Sequence, residues 1–314
     1  MVIVYSPRCL DYAAPGHPEN PERVRSAVAQ LHKEFHTWVT PEPCAEADIL
    51  RVHTRAMLDA VRTGTFSDAD TPFFPQIFEL ARLAAGGAIL AAERARAGTP
   101  AFSLMRPPGH HAERDRIMGF CYFNNLAIAV ARNLEVRTAN PSTRDTKGSG
   151  QPSDTMMDKV AILDFDCHHG NGTEDIFRGN DRVLFVSLHQ SPGYPGTGIT
   201  SEGNCINYAL PPDTGPEEFL DALDESLSRI REFQPDLLGV SAGFDAYRGD
   251  PITQMGLETE TFREVGRRIA DFTRLAKSAV GDARALPCFA VLEGGYSREF
   301  PHCVEEFVGG WERH

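Results

Sequence analysis

Residues 160–172 read VAILDFDCHHGNG, and this stretch decides the fold, because it begins as an unbroken apolar run and ends in acidic and imidazole side chains. An apolar run without polar alternation is typical of a strand that is covered on both faces. Side chains two residues apart leave the same face of a strand. We therefore expect Asp164, Asp166 and His168 to emerge together at the carboxyl end of a buried strand over 160–165, where open α/β sheets bind their ligands.

Further apolar runs of strand length lie along the chain, and segments with helical periodicity separate them. The apolar runs cover residues 2–5, 101–105, 183–188, 237–242 and 288–292, and the helical segments cover residues 21–35, 76–96, 122–133, 216–233 and 258–277. Alternation of strands and helices is the sequence pattern of βαβ units. We therefore predict an α/β fold with an open, mostly parallel central sheet and helices on both faces.

The length of 314 residues, of which 41% are hydrophobic, suits one large α/β domain, and we predict a single domain over 1–314. One stretch interrupts the alternation of strands and helices. Residues 137–158 are rich in Thr, Ser, Asn, Asp, Gly and Pro and contain almost nothing to bury. We predict a mobile surface loop there, between a helix and the strand at 160–165.

Composition excludes several classes of protein. The formal charge of −13 argues against a nucleic-acid partner, since phosphate binding depends on clustered Lys and Arg. No apolar run approaches the roughly 20 residues that cross a bilayer, and the first residues lack the layout of a signal peptide. Seven scattered cysteines without a Cys-x-x-Cys pair fit a reducing compartment. We expect a soluble cytoplasmic protein with no nucleic-acid and no membrane partner. Its negative charge suits a cationic substrate, or it only reflects an acidic surface that keeps the protein soluble.

Residues at the ends of two predicted strands indicate a metal site. Asp245 follows the apolar run at 237–242, and it would join Asp166 and His168 as a third ligand. Three protein ligands with positions left open are typical of catalytic zinc, whereas structural zinc prefers four. Each aspartate alone could also cap a strand end or form a turn, so the hypothesis depends on the combination. Cys167 should point to the opposite strand face and be a buried apolar residue.

Two further groups follow apolar runs in the same way. Adjacent histidines, His110 and His111, could be an accident of a surface loop, but beside a metal they would supply the base and the acid that hydrolysis needs. Tyr296 follows two glycines that allow close approach of the backbone, and a phenol can donate a hydrogen bond to an oxyanion. Together these residues indicate hydrolysis of a carbonyl compound through a tetrahedral intermediate.

These motifs resemble the zinc-dependent histone deacetylase superfamily, which includes acetylpolyamine amidohydrolases and bacterial acetoin-utilisation-type deacetylases. The similar segments are residues 17–23, 106–112, 119–125, 164–173, 187–189, 241–251 and 293–296. They follow the family's order and span nearly the whole chain. The resemblance implies an arginase/deacetylase-like fold and a hydrolase that removes acyl groups from amines.

The resemblance also implies a role for each residue of the site. The three ligands named above would hold Zn²⁺, with Fe²⁺ as the alternative. His111 would be the general base and then the acid, His110 its electrostatic partner oriented by Asp164, and Tyr296 the group that polarises the acyl oxygen. Asn171 stands where many class I members place an Asp, as in class II-like and polyamine-type members. A neutral partner should stabilise protonated His111 less than a carboxylate would.

The substrate channel and the structural ions are implied by the same resemblance. The channel would be formed by Gly119, Phe120, Tyr194 and Gly295, with the two aromatic residues as its walls. Arg23 resembles an arginine that lines the acetate cavity, although a surface or buried ion-pair arginine is an equal interpretation. Ser187 and Leu188 resemble carbonyl ligands of a structural monovalent cation such as K⁺.

Several alternatives stay open at this point. The substrate could be Nε-acyl-lysine in a protein or a small acylated amine such as an acetylated polyamine. Residues 63–75 are short, whereas polyamine-type members commonly carry a long insertion that narrows the entrance through dimerisation, so we favour the lysine-type substrate and leave the oligomeric state open. An acyl-lysine-binding pseudoenzyme is disfavoured because Tyr296 and both histidines are present. A two-manganese ureohydrolase is disfavoured because His169-Gly170 and Ala246-Tyr247 replace the second ion's ligands.

Overall fold

The computed structural model describes residues 1–135, 158–276 and 285–312, and eight parallel strands form one sheet within them. The strands are β1 (Val2–Val4), β2 (Thr37–Val39), β3 (Ala101–Ser103), β4 (Val160–Asp164), β5 (Val183–Gln190), β6 (Cys205–Leu210), β7 (Leu237–Ala242) and β8 (Cys288–Leu292). Their order across the sheet is β2-β1-β3-β8-β7-β4-β5-β6, and all the pairings are parallel. The predicted α/β fold is therefore confirmed, with a fully parallel sheet in the described residues.

Helices lie on both faces of the sheet. They are α1 (Pro21–Leu31), α2 (Glu46–Ile49), α3 (Arg55–Thr63), α4 (Ile77–Arg96), α5 (Asn125–Glu135), α6 (Asn171–Phe177), α7 (Pro216–Phe233), α8 (Thr259–Leu275) and α9 (Phe300–Glu312), with a 3₁₀ helix over Pro7–Leu10. In β4, Ala161 and Leu163 pack into the core on one face, while Val160 and Ile162 pack into the core on the other. The unbroken apolar run of β4 is thus explained by burial on both sides.

Helix boundaries follow local capping groups. Asn20 accepts a hydrogen bond from the backbone N–H of Glu22, with Pro21 at the first helical position, as predicted for the start of α1. That helix ends at Leu31 rather than at residue 35. The predicted helix at 122–133 begins instead at residue 125, because the Asn124 side chain caps it by accepting from the backbone N–H of Ala127 at 2.9 Å.

Strand order places a crevice at the carboxyl end of β4. From β4 the chain continues to β5 and β6 on one side, and it returns to β7 on the other side. Asp164 in β4 is in register with Ser187 in β5 and with Ser241 in β7. Ligands of open α/β sheets bind at such a switch in strand order. The residues that follow β4 and β7 therefore face a common crevice.

The two edge strands, β2 and β6, were not predicted. Both have residues that are only half-buried or exposed, so neither carries an unbroken apolar run. All seven cysteines are buried and unpaired, in agreement with the expectation of no disulfide framework. None of the described helices combines the length and the apolar character that a membrane span requires. The loop predicted at 137–158 lies almost entirely outside the described residues, and the single domain stays a prediction.

Candidate active site

Four neighbouring strands, β3, β8, β7 and β4, deliver the predicted chemical side chains to one edge of the sheet. The loops that follow them carry His110 and His111 after β3, Tyr296 after β8, Asp245 after β7, and Asp166 and His168 after β4. Parallel strands end at the same edge, so residues that are far apart in sequence meet there. The structure brings all of these residues together.

The predicted metal ligands form a compact cluster. Asp166, His168 and Asp245 each offer a ligand atom, and these atoms lie within 4.8 Å of one another. His168 Nδ1 lies 2.9 Å from Asp245 Oδ2 and 3.1 Å from Asp166 Oδ1. Although His168 Nδ1 lies near Asp245 Oδ2, its hydrogen bond goes to Asp166 Oδ1, and the buried Asp245 Oδ2 has no partner with hydrogen-bond geometry among the described residues. A buried carboxylate oxygen without a donor is costly unless a cation neutralises it, and one imidazole with two carboxylates suits Zn²⁺ or Fe²⁺.

Two glycines allow the backbone to approach these carboxylates closely. A Cβ on Gly294 would lie 2.2 Å from Asp245 Oδ2, and a Cβ on Gly243 would lie 2.1 Å from Asp166 Oδ2. The N–H of Gly294 donates to Asp166 Oδ2 at 2.7 Å. The N–H of Cys167 donates to Asp245 Oδ1 at 2.8 Å, while its side chain is buried in the core, as predicted. The two carboxylates are therefore held by backbone donors, which leaves Asp245 Oδ2 to face a cation.

The two adjacent histidines have opposite electrostatic surroundings. His110 Nδ1 lies 3.0 Å from Asp164 Oδ2, and its Nε2 lies 3.8 Å from Asp166 Oδ1. Burial alone would lower the pKa of His110, but these carboxylates raise it to about 10. For His111, burial and then the neighbouring imidazoles of His110 and His168 lower the pKa well below its usual 6.5. The surroundings therefore shift the pKa values of the two adjacent imidazoles in opposite directions.

Asn171 determines which nitrogen of His111 carries the proton. His111 Nδ1 lies 2.8 Å from Asn171 Oδ1, and Asn171 Nδ2 donates to Glu113 Oε1 at 2.7 Å. A carboxylate accepts but does not donate, so the amide nitrogen faces Glu113 and the amide oxygen faces His111. His111 must then donate from Nδ1, which leaves Nε2 as the acceptor. Glu113 was not predicted, and no spacing in the sequence connects it to Asn171.

Tyr296 is fixed by its backbone and by two side chains. Its N–H donates to Asp250 Oδ2 at 2.7 Å, and Asp250 Oδ1 also accepts from the N–H of Ile252 at 3.1 Å. Its ring lies edge-on to Phe120 with 5.7 Å between centroids, and the Arg23 guanidinium lies 4.5 Å from its centroid. Burial raises the pKa of the phenol well above 10, so it stays a hydrogen-bond donor. Asp250 is a second residue that the sequence did not single out.

A cavity of about 330 Å³ opens onto this site. The predicted residues that line it are His110, His111, Gly119, Phe120, His168, Tyr194 and Tyr296. Gly119 has φ +59°, and a Cβ there would lie 2.5 Å from the His111 ring, so glycine is required for the close approach. Tyr194 packs edge-on to His111 with 5.1 Å between centroids.

Gly295 is not among the residues that line this cavity, and its role in substrate binding stays a prediction. Gly294 lines it instead, while the carbonyl of Gly295 accepts a hydrogen bond from Arg23 Nε at 2.5 Å. A Cβ on Gly295 would lie 2.6 Å from Phe300, so the glycine serves packing beneath the site.

Arg23 belongs to a buried ion-pair network, and it also borders Tyr296. Its Nη1 lies 3.1 Å from Glu19 Oε1, and its Nη2 donates to the Glu293 carbonyl at 2.7 Å. Arg106 is fully buried and pairs with the same Glu19 carboxylate. Burial alone would raise the pKa of Glu19, but the guanidiniums of Arg106 and Arg23 hold it at about 2. The buried ion-pair interpretation of Arg23 is therefore confirmed, and its place in an acetate cavity stays a prediction. The role of the Glu19–Arg106 pair was not predicted.

Comparison with known proteins now decides the family. Residues 17–310 match the model of the histone deacetylase domain. The chain belongs to the histone deacetylase family. A probable deacetylase of Methanothermobacter thermautotrophicus is 38% identical over 316 residues, which cover 95% of this chain and 86% of that protein. A histone deacetylase-like amidohydrolase of Pseudomonas aeruginosa is 36% identical over 325 residues, which cover 95% of this chain and 78% of that protein.

A solved structure supports the same assignment. The crystal structure of an acetylpolyamine aminohydrolase from Burkholderia pseudomallei has a TM-score of 0.82 and 26% identity, and the match covers 100% of this chain and 99% of that chain. The arginase/deacetylase-like fold is thereby confirmed. As a member of the histone deacetylase family, the chain is a hydrolase of acyl amides at the level that these relatives share. Metal dependence is general in this family, and the Asp166–His168–Asp245 cluster is the candidate site for the ion.

The residues predicted to hold a monovalent cation lie in β5, the strand next to β4. Ser187 and Leu188 are buried in β5, and Ser187 is in register with Asp164. The hydroxyl of Ser187 is 2.9 Å from His189 Nδ1. A structural K⁺ at these carbonyls stays a prediction.

Proposed function

We propose that this histone deacetylase family member is a metal-dependent amide hydrolase that removes acetyl or other acyl groups from Nε-acyl-lysine side chains. One observation carries the proposal. The three-ligand cluster, the free Nε2 of His111 and the Tyr296 phenol surround the floor of one cavity. Amide hydrolysis needs an activated water, a base that becomes an acid, and a donor to the oxyanion. The surroundings of this cavity provide a group for each need.

Asp166, His168 and Asp245 would hold the ion, for which Zn²⁺ is the first candidate and Fe²⁺ the second. The bound ion supplies Lewis acidity to the water and to the acyl carbonyl. Three protein ligands leave room in the coordination shell, as catalytic zinc requires. The buried Asp245 Oδ2, which has no partner with hydrogen-bond geometry among the described residues, supports this assignment.

His111 is the proton carrier of the proposed mechanism. Asn171 holds the proton on Nδ1, so Nε2 accepts the proton of the attacking water and then donates it to the leaving amine. His110, held by Asp164, stabilises the negative charge of the tetrahedral intermediate with its own positive charge. The different surroundings of two adjacent imidazoles allow one to carry charge while the other moves a proton.

Tyr296 is the proposed oxyanion donor. Its phenol stays protonated because burial raises its pKa, and a neutral O–H donor stabilises the charge that develops on the acyl oxygen. Asp250, Phe120 and Arg23 hold the tyrosine from three directions. A donor that is already positioned needs no reorganisation when the charge forms.

The residues at the mouth of the cavity support acyl-lysine as the substrate. Phe120 and Tyr194 border the cavity, and an apolar channel of this kind suits the methylene stem of lysine. Asp70 lies on the rim and suits a substrate that carries positive charge near the channel. The second candidate is a small acylated amine, because the whole chain superposes on an acetylpolyamine aminohydrolase. Residues 63–75 carry no long insertion, which favours the lysine-type substrate.

A comparison of kcat/KM between substrates tests the proposal. We would measure kcat/KM for acetyl-lysine peptides, longer acyl-lysine peptides and N-acetylputrescine with zinc-loaded protein, and His111→Ala would be the inactive control. The proposal predicts higher kcat/KM on an acyl-lysine peptide than on N-acetylputrescine. The opposite ranking would favour the small-amine hydrolase. No turnover of any probe by protein with a filled metal site would instead indicate a binding protein.

The remaining predictions belong to the same proposal. We propose that a monovalent cation such as K⁺ supports the Ser187–Leu188 segment and that the protein acts in the cytoplasm. Potassium dependence of thermal stability would test the first of these, and fractionation of cells that express the protein would test the second.

A further inference from the structure

His17 lies at the mouth of the cavity, and its imidazole joins two separate segments of the chain. It lines the cavity together with Pro18, and on the same side lie Ala69 and Asp70. These residues come from two loops, one before α1 and one between α3 and α4. We define residues 68–72 as the rim segment. His17 is thus the side chain through which the first loop reaches the rim segment.

Both nitrogens of the His17 ring have backbone partners. Nδ1 lies 3.1 Å from the backbone nitrogen and 3.0 Å from the carbonyl oxygen of Glu19, while Nε2 faces the carbonyl of Asp70, which can only accept. Nε2 then donates to the carbonyl of Asp70 at 3.0 Å. This hydrogen bond links residues 53 positions apart in sequence, and it attaches the rim segment to the entry of α1.

Two further hydrogen bonds attach the rim segment on its other side. The Thr71 hydroxyl accepts from the N–H of Phe120 at 3.0 Å, and the Tyr122 hydroxyl donates to the carbonyl of Pro72. Loop residues without such attachments are the usual mobile parts of a protein. The rim segment is therefore fixed at three successive residues, and His17 provides one of the three attachments.

His17 also supports the aromatic wall. Its ring lies edge-on to the Phe120 ring, with 4.7 Å between centroids. Phe120 has φ +68°, a left-handed conformation that is unfavourable for an aromatic residue and that needs support from its surroundings. The imidazole supplies part of that support and at the same time anchors the rim segment next to it.

We propose that His17 is a positioning residue that determines substrate capture, because it sets the distance between the Phe120 wall and the rim segment. This inference rests on the proposed function, since it concerns the substrate of the same cavity. The partners of His17 are Glu19, Asp70 and Phe120, which include no metal ligand and no group assigned to proton transfer. Loss of His17 should therefore weaken substrate binding more than the chemical step.

Three substitutions separate the two contacts of the ring. His17→Ala removes both, His17→Phe keeps a ring against Phe120, and His17→Gln keeps an N–H that can reach Asp70. A hydrogen bond and an aromatic edge contact are each worth a factor of roughly five in equilibrium constant. We expect KM for an acyl-lysine peptide to rise about tenfold or more in His17→Ala, with kcat changed less than about twofold, and to rise about fivefold in each of the other two variants.

The matched control is His302→Ala. It removes an exposed histidine of α9, whose Nδ1 lies 2.7 Å from Glu299 Oε2. Its kinetics should equal those of the original protein. Hydrogen exchange in residues 64–75 should accelerate in His17→Ala and should change less in His17→Gln. A general loss of stability would accelerate exchange throughout the protein and would not confine the change to these residues.

A fall in kcat with KM unchanged in His17→Ala, or unchanged exchange in the rim segment, would overturn the inference. These results require that the original protein hydrolyses the peptide. If the original protein is inactive on every probe while the exchange result appears as expected, the proposed function fails and the anchoring of the rim segment stands.

Discussion

The floor and the mouth of the cavity are formed by different parts of the chain. The floor consists of residues that directly follow buried parallel strands, and Asp164, Asp166 and Asp245 are fully buried there. The mouth consists of loop residues, among which Tyr194 is 39% and Ile252 is 42% exposed. Backbone and side-chain hydrogen bonds fix the floor, whereas a few long-range contacts position the mouth. Substitutions in the floor should therefore affect the metal and the chemistry, and those in the mouth should affect substrate binding.

Removal of a metal ligand from the floor should have the largest effect. Asp245→Ala leaves two ligands, so we expect the metal content of the purified protein to fall to near zero and kcat/KM to fall by roughly a thousandfold or more, since the ion contributes several kcal/mol. Metal analysis and peptide hydrolysis measure both quantities. Asp181→Ala, at an exposed position, is the control. Full activity of Asp245→Ala would contradict the metal assignment.

Loss of the phenol hydroxyl should come next. Tyr296→Phe keeps the ring against Phe120 and Arg23 but removes the donor, and we expect kcat to fall by roughly a hundredfold or more, as for other oxyanion donors. The metal content should not change, which separates this variant from the ligand variants. A kcat within about threefold of the original would remove Tyr296 from the chemical step.

The pH profile should distinguish the two histidines of the floor. The double variant Asn171→Asp/Glu113→Gln places a carboxylate beside His111 without a second carboxylate against it, so protonated His111 is stabilised, its pKa rises and the base is lost at a higher pH. The acidic limb of the kcat/KM profile should move upward by roughly one pH unit or more. Metal-loaded protein and a peptide substrate are needed. Glu113→Gln is the matched control, because it removes the charge beside Asn171 and retains an oxygen that can accept from its amide. An unmoved limb would contradict the role of His111.

The smallest effect should come from the mouth. Tyr194→Ala removes one aromatic wall, and we expect KM to rise about three- to tenfold with kcat nearly unchanged, since an aromatic contact is worth about 1 kcal/mol. Tyr194→Phe should behave like the original protein. If Tyr194→Ala lowers kcat as strongly as a floor variant, the distinction between floor and mouth would not hold.

Sequence patterns predicted the floor well because its residues are adjacent to strands. The unbroken apolar runs at residues 160–165, 237–242 and 288–292 correspond to β4, β7 and β8, and the chemical residues follow them directly. The edge strand β6 was missed because Asn207 interrupts its apolar residues and most of the strand is half-buried or exposed. Gly294 lines the cavity and Gly295 does not, a distinction between neighbouring glycines for which the sequence has no signal.

Partners that connect distant segments could not be predicted in this way. Glu113 orients Asn171, Asp250 holds the N–H of Tyr296, and His17 anchors the carbonyl of Asp70. None of these pairs has a characteristic spacing, because each depends on how loops from different strands pack. A polar side chain in a loop has many solvated alternatives, and only the surrounding structure selects its partner.

The sequence by itself determined an α/β sheet with Asp166, His168 and Asp245 at its carboxyl edge, because unbroken apolar runs and their alternation with helical segments are local patterns that indicate parallel βαβ units. The tertiary structure decided that His110 lies beside carboxylates while His111 lies beside an amide, and which nitrogen of His111 is left to accept. It also decided which loop residues border the mouth. The physical reason is that burial, neighbouring charges and hydrogen-bond direction arise only when distant segments pack together.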